Sequence, residues 1–164
     1  MRLPSYLAFV ICSLVFPGLI QAQTIPGDVT FEVPVNLTRL AGDITTVAVS
    51  CVISSDAIML TRTIKGTTYK EDLGARLELP VAAGQLVTTA RIVVPVPPNA
   101  FSDPTGAITS GPTGKTADYQ CSLMGFSALP TTYGGGWNQF SADNPIESFR
   151  LSPTPSSITG SFVW

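Results

Sequence analysis

The segment that decides the fold is Thr46-Val-Ala-Val-Ser-Cys-Val-Ile53, which alternates in period two and is dominated by β-branched residues. Successive side chains of a β-strand point to opposite faces, so this pattern predicts a strand with one buried face. The preceding segment, Phe31-Glu-Val-Pro-Val-Asn-Leu-Thr38, alternates in the same way. Because Pro34 cannot donate a ladder hydrogen bond, we expect an edge strand there. Gly42-Asp43 supplies the turn between the two strands.

Further strand candidates follow along the chain, with one weak indication of helix. The predicted strands are Ile58–Ile64, Leu77–Val81, Leu86–Val96, Tyr119–Met124 and Ile158–Trp164. Tyr69, Leu73 and Leu77 have helical spacing, which predicts one helical turn in a connection. Residues 97–116 are rich in Pro, Gly, Ser and Thr and predict a long loop, within which we expect residues 107–109 to pair briefly. About seven or eight short strands with turn signals predict an all-β sandwich or barrel.

The first 22 residues have the character of a secretory signal peptide. Arg2 is followed by the apolar run Leu7–Phe16, which Pro17 ends, and the small residue Ala22 precedes the expected cleavage site. The run is too short to cross a bilayer as a helix, so we expect no stable membrane span after cleavage; a membrane anchor is the alternative. We therefore expect a signal peptide over residues 1–22 and one β-sandwich domain over 23–164, secreted or periplasmic.

The cysteines agree with export to an oxidising compartment. Cys12 leaves with the leader, and Cys51 and Cys121 remain, an even number that favours a disulfide. Both fall on inward-facing positions of alternating strands, so we expect an inter-sheet disulfide that ties two packed sheets together. Two buried free thiols are the alternative.

The run Ala117-Asp-Tyr-Gln-Cys121, with Cys51 seventy residues earlier, resembles the immunoglobulin-like β-sandwich domain. The resemblance covers residues 31–123 and extends to the architecture only. It implies that Tyr119 forms a tyrosine corner, in which the hydroxyl bonds to upstream backbone. It implies a scaffold and not an activity.

The composition excludes several chemistries. The chain of 164 residues has no histidine, so Ser-His and Cys-His nucleophile systems and His-based metal sites are impossible. Nine basic and eleven acidic residues give a net charge of −2, which offers no electrostatic basis for binding nucleic acid. We expect no catalytic residues, no cofactor and no metal.

The candidate partner-binding loop runs from Tyr133 through three glycines to Trp137 and Phe140. Aromatic side chains on a polar, Gly-rich loop can form a stacking platform for sugars or a hot spot for a protein. The alternative is that Trp137 and Phe140 fold back and cover one end of the sandwich. Asn36-Leu37-Thr38 is a glycosylation sequon, which we attribute to chance.

We therefore expect an exported, non-catalytic β-sandwich that binds or packs against a protein or carbohydrate at the cell surface or in the periplasm. Low charge, a Pro-bearing edge and a hydrophobic tail suggest a partner that is another copy of the chain or another component of a surface assembly, so we expect a role in adhesion or in such an assembly, with self-association as one form of it. One alternative is a small outer-membrane β-barrel, which the alternating segment Ile158–Trp164 and the mean hydropathy of +0.32 favour. A second is a carboxylate-dependent carbohydrate hydrolase, which needs no histidine.

Overall fold

A computed structural model describes residues 27–103, 106, 112–151 and 157–164. The expected signal peptide and the pairing expected at residues 107–109 lie outside the described residues. The described part of the chain contains nine β-strands and two single turns of 3₁₀ helix, Thr131–Tyr133 and Glu147–Phe149. The strands are β1 (Val29–Leu37), β2 (Ile44–Ser54), β3 (Thr61–Ile64), β4 (Thr67–Lys70), β5 (Leu73–Pro80), β6 (Leu86–Val94), β7 (Thr116–Ser127), β8 (Gly136–Gln139) and β9 (Ile158–Val163).

The strands pair in antiparallel fashion into two packed sheets and a separate hairpin. β1 and β6 form the smaller sheet, and the larger sheet has the order β5-β2-β7-β8, with β9 also beside β7. β8 and β9 share one side of the long strand β7: β9 pairs with residues 116–121, and β8 with residues 124–127. β3 and β4 pair only with each other among the described residues.

The inward faces of the two sheets meet in one hydrophobic core. Val47, Val49 and Ile53 on β2 are fully buried, which confirms the buried face predicted from the alternation. The small sheet contributes alternate residues in the same way, and all of them belong to one core cluster: Val33, Val35, Leu37, Ala90, Ile92 and Val94. The predicted all-β fold with packed sheets is confirmed. Within the described ranges, no helix has the length and hydrophobicity that crossing a membrane requires.

The edge strand predicted from Pro34 is also confirmed. Among the described residues β1 pairs with β6 alone, and Pro34 lies exposed opposite Thr89. A proline makes an edge strand a poor template for pairing with another chain, so Pro34 argues against self-association by strand pairing along β1.

The Cys51–Cys121 disulfide forms, but it does not join the two sheets. The two residues lie directly opposite each other on β2 and β7, neighbouring strands of the larger sheet, with Sγ–Sγ 2.08 Å and Cα–Cα 4.0 Å. The expected inter-sheet disulfide is therefore wrong. Facing residues on adjacent strands both point inward, so the alternation that predicted two buried cysteines is satisfied equally well within one sheet.

Tyr119 does not make the tyrosine corner that the resemblance implied. Its ring lies opposite Gly160 on β9, 5.0 Å from the Phe31 ring centroid, and its hydroxyl makes no hydrogen bond within the described residues. A Cβ on Gly160 would lie 2.6 Å from the Tyr119 hydroxyl oxygen, so the glycine makes room for the ring. The observed architecture is an all-β arrangement compatible with a β-sandwich, without the immunoglobulin-like bridge.

The helical turn predicted over residues 69–77 is wrong. Tyr69 lies in β4, whereas Leu73 and Leu77 lie in β5. A spacing of four residues places side chains on one face of a helix but also on one face of a strand. Leu73 is buried in the core and Leu77 packs against it, so the strand interpretation places both leucines inward.

Candidate binding face

The structure separates the three aromatic residues predicted to form the partner-binding loop. Tyr133 ends a 3₁₀ turn and is 76% exposed. Trp137 lies in β8 and is partly exposed. Phe140 is 6% exposed and packs in the core, with its ring centroid 6.0 Å from that of Phe149. Phe140 therefore covers the core, as the alternative interpretation of the loop expected, and only Tyr133 and Trp137 remain at the surface.

The glycines between these aromatics turn the chain sharply enough for β8 to pair with β7. Gly134 adopts φ 92°, a left-handed conformation that suits glycine. A Cβ on Gly135 would collide with the Leu129 carbonyl. The segment is thus a tight turn that fixes where Trp137 emerges, and its glycines serve close packing of the backbone.

Trp137 packs against two side chains from other strands of the larger sheet. It lies directly opposite Phe126 on β7, with ring centroids 5.3 Å apart and planes at 56°. The Arg76 guanidinium of β5 lies 3.8 Å from the centroid of the Trp137 ring, a cation–π contact. Arg76 also donates toward Glu78, with an N–O distance of 3.2 Å. A contact of this kind is worth about 0.5–1 kcal/mol at an exposed site and holds the indole in place.

Trp137 and Phe126 belong to a second cluster of side chains, which lies on the face of the larger sheet that points away from the core. Alternation places Ala48, Met124 and Phe126 opposite to the inward-facing residues of β2 and β7, and none of them belongs to the core cluster. Ala48 is nonetheless fully buried, because longer neighbours cover it. We call Ala48, Arg76, Met124, Phe126 and Trp137 the outer cluster.

The sequence indicates that Trp137 is a candidate binding residue, but it does not identify the rest of the outer cluster. One signal was present: β7 carries apolar residues on both faces, since Met124 and Phe126 alternate with Leu123 and Gly125. A strand at a solvated face alternates apolar with polar residues, so an apolar second face indicates another covered surface. The part played by Arg76 depends on β5 and β8 lying in one sheet, which no local pattern encodes.

A polar network fixes the turn at one end of the larger sheet. Asp43 accepts hydrogen bonds from the hydroxyls of Ser127 and, at 2.8 Å, of Ser148. Partial burial opposes ionisation of this carboxyl, but the two hydroxyl donors and a backbone donor outweigh it and hold the pKa of Asp43 below its ordinary value. These bonds tie the turn before β2 to the end of β7, which is a structural role.

A polar cleft of about 390 Å³ lies at the base of the β3–β4 hairpin. The Lys70 ammonium donates to the Ser55 carbonyl at 2.8 Å and lies 3.6 Å from Asp56, whose side chain is fully exposed. We call this cleft the acidic cleft. The residues that line it are Ser54, Ser55, Asp56, Lys70, Asp72, Thr116 and Asp118. No group of three or more potential metal ligands occurs among the described residues. Glycosidases hold their general acid in apolar surroundings, and Asp56 lies in water instead.

Comparison with known protein families, curated proteins and solved structures gives no match to this chain. Its function must therefore be inferred from the chemistry of the residues described above.

Proposed function

We propose that the chain is an exported, non-catalytic β-sandwich that serves as a binding or structural module at the cell surface or in the periplasm. One observation carries the proposal: the outer cluster presents Trp137 and Arg76 on a face that the core does not use, and Tyr133 lies exposed on the segment that leads into β8. Trp, Tyr and Arg are the residue types most enriched among binding hot spots.

The partner is a protein or a carbohydrate. The exposed Tyr133 ring offers a flat apolar surface with a polar tip, which suits a sugar ring or a partner side chain. Trp137 is already positioned between Phe126 and Arg76. A side chain held in place loses little conformational entropy on binding, so a preformed face binds more tightly than a mobile one.

Two features support export and a non-catalytic role. The leader-like first 22 residues and the Cys51–Cys121 disulfide both suit an oxidising compartment. The chain has no histidine, and the residues that line the acidic cleft are all polar, so they do not provide apolar surroundings for a general acid.

The proposal is tested by capture experiments on the mature chain, residues 23–164, with its disulfide oxidised. The chain is immobilised and exposed separately to the protein fraction and the polysaccharide fraction of the envelope of its source cells. We expect one fraction to bind, and Tyr133→Ala and Trp137→Ala each to weaken that binding by roughly tenfold or more. The fraction that binds identifies the partner class.

A matched control is Val87→Ala, because Val87 is 64% exposed and lies on the other sheet. It should bind like the unchanged chain. Circular dichroism confirms that each variant is folded. Equal capture by the folded Tyr133 and Trp137 variants, or no capture of either fraction, would show that this face is not a binding site.

A further inference from the structure

Among the described residues, β3 and β4 form a two-stranded sheet of their own that projects from the sandwich. All residues from Thr61 to Lys70 are exposed, and the two strands are joined by Lys65-Gly66 with φ 50° and 80°. Two four-residue strands alone are marginally stable in water. A hairpin of this length therefore gains stability if its open face is covered.

The two faces of the hairpin differ in chemistry. Register and alternation place Arg62, Ile64 and Tyr69 on one face. On the other face the Thr63 and Thr68 hydroxyls are 3.1 Å apart, and Lys70 bonds to the Ser55 carbonyl and so ties the hairpin to the sandwich. We call the first set the hairpin face. Ile64 is 44% exposed and Tyr69 52% exposed, so the hairpin face presents two open apolar side chains beside Arg62.

Charge is divided unevenly between the hairpin and the rest of the chain. The hairpin carries three basic residues and no acidic one, whereas the remaining sequence has eleven acidic and six basic residues. Within the part of the chain that the structure describes, Arg62 and Lys65 make no ion pair. Asp72 and Asp118, in the acidic cleft at the foot of the hairpin, are likewise without an ion-pair partner there.

We propose that the hairpin face of one copy docks into the acidic cleft of a second copy, and the reverse, in a two-fold dimer. The proposal rests on the proposed function, because it names another copy of the chain as one partner of the exported module. In a two-fold interface the same patch lies on both copies, so a cationic element next to an anionic cleft complements itself. The planar Arg62 guanidinium can bond a carboxylate with two parallel donors.

The charge balance favours a second copy over a polyanion. A polyanionic polymer would meet the hairpin but would also be repelled by the carboxylates of the acidic cleft at its foot. A second copy presents the carboxylates of its acidic cleft to the hairpin. It also presents its own basic hairpin to the acidic cleft of the first copy, so the attraction is gained twice. Covering Ile64 and Tyr69 adds apolar burial to the ion pairs.

The test measures the oligomeric state of the oxidised mature chain by sedimentation velocity over a range of concentrations. We expect a dimer whose Kd rises as salt is increased from about 0.05 M to about 1 M, since the screening length falls from above 10 Å to about 3 Å. Arg62→Glu and Asp118→Lys should each raise the Kd by about tenfold or more, and the double variant should restore association. Arg91→Glu, on the exposed face of β6, is the matched control and should leave the Kd unchanged.

Three outcomes would overturn the inference: a chain that is monomeric at all concentrations, a dimer that is indifferent to Arg62→Glu, or a double variant that does not recover. A sulfated polysaccharide that binds a monomeric chain through Arg62 would assign the hairpin to a polyanion instead. A monomer that still captures an envelope fraction through Tyr133 and Trp137 would refute only the dimer. A dimer without envelope capture would refute only the binding face.

Discussion

Truncating Phe140 should lower the free energy of unfolding far more than truncating Tyr133, although both residues belong to the same aromatic segment. Phe140 is 6% exposed and its ring packs 6.0 Å from that of Phe149, whereas Tyr133 is 76% exposed. Removing a buried aromatic ring leaves a cavity and costs about 3–5 kcal/mol. We therefore expect Phe140→Ala to lower the free energy of unfolding by about 4 kcal/mol, and Tyr133→Ala by less than about 0.5 kcal/mol.

Gly125 provides an independent check of the same packing. A Cβ on Gly125 would lie 2.6 Å from Phe140 Cζ and 3.1 Å from Phe149 Cε1, so Gly125→Ala alone should cost about 1–3 kcal/mol. In the Phe140→Ala background the closer contact disappears, and the same substitution should cost less than about 1 kcal/mol.

The assay is urea denaturation of the oxidised mature chain, with all four combinations measured in one double-mutant cycle. The reasoning fails if Phe140→Ala costs less than about 1 kcal/mol, or if the Gly125 and Phe140 substitutions add within about 0.5 kcal/mol. Either result would mean that the Phe140 ring is not packed over Gly125, and Phe140 would again be a candidate for the binding surface.

Three further predictions concern other parts of the sheet. Asp43→Asn should cost about 1 kcal/mol at pH 7 by urea denaturation. Because the folded-state pKa of Asp43 is lowered, this difference should persist down to the ordinary aspartate pKa of about 3.9 and vanish as the pH falls through the folded-state value. Replacing both Cys51 and Cys121 by Ala should cost about 4 kcal/mol in the same assay, since the bridge closes a separation of 70 residues; an unchanged midpoint would contradict this. Gly160→Ala should lower the thermal midpoint by several degrees, because its Cβ would meet the Tyr119 ring at 2.8 Å.

Local pattern predicted the strands at the centre of the fold, because burial on one face imposes period two on the sequence. The alternation over residues 46–53 and the edge position of Pro34 are both confirmed. The spacing of Tyr69, Leu73 and Leu77 was ambiguous, since four residues bring side chains to one face in a helix and in a strand alike. The bounds of β5 were set by its pairing with β2, which is a long-range interaction.

The placement of the disulfide and of the proposed binding face depends on the order of the strands in the larger sheet. The sequence indicates that Cys51 and Cys121 are inward-facing, but not that β2 and β7 are neighbours. Trp137 was a candidate only because it lies in a Gly-rich segment with two other aromatic residues. That Arg76 and Phe126 hold it follows only when β5, β2, β7 and β8 are arranged side by side.

The chain folds into packed β-sheets with a bridge between Cys51 and Cys121, and we propose that it does so after export. Tryptic peptide mass mapping of non-reduced protein, recovered from the cell exterior or periplasm after free thiols are alkylated, tests it most directly. We expect a chain that begins at Gln23 and a linked pair of peptides covering residues 40–62 and 116–150. Two alkylated thiols in the unreduced protein, or a full-length chain recovered only from the cytoplasm, would contradict it.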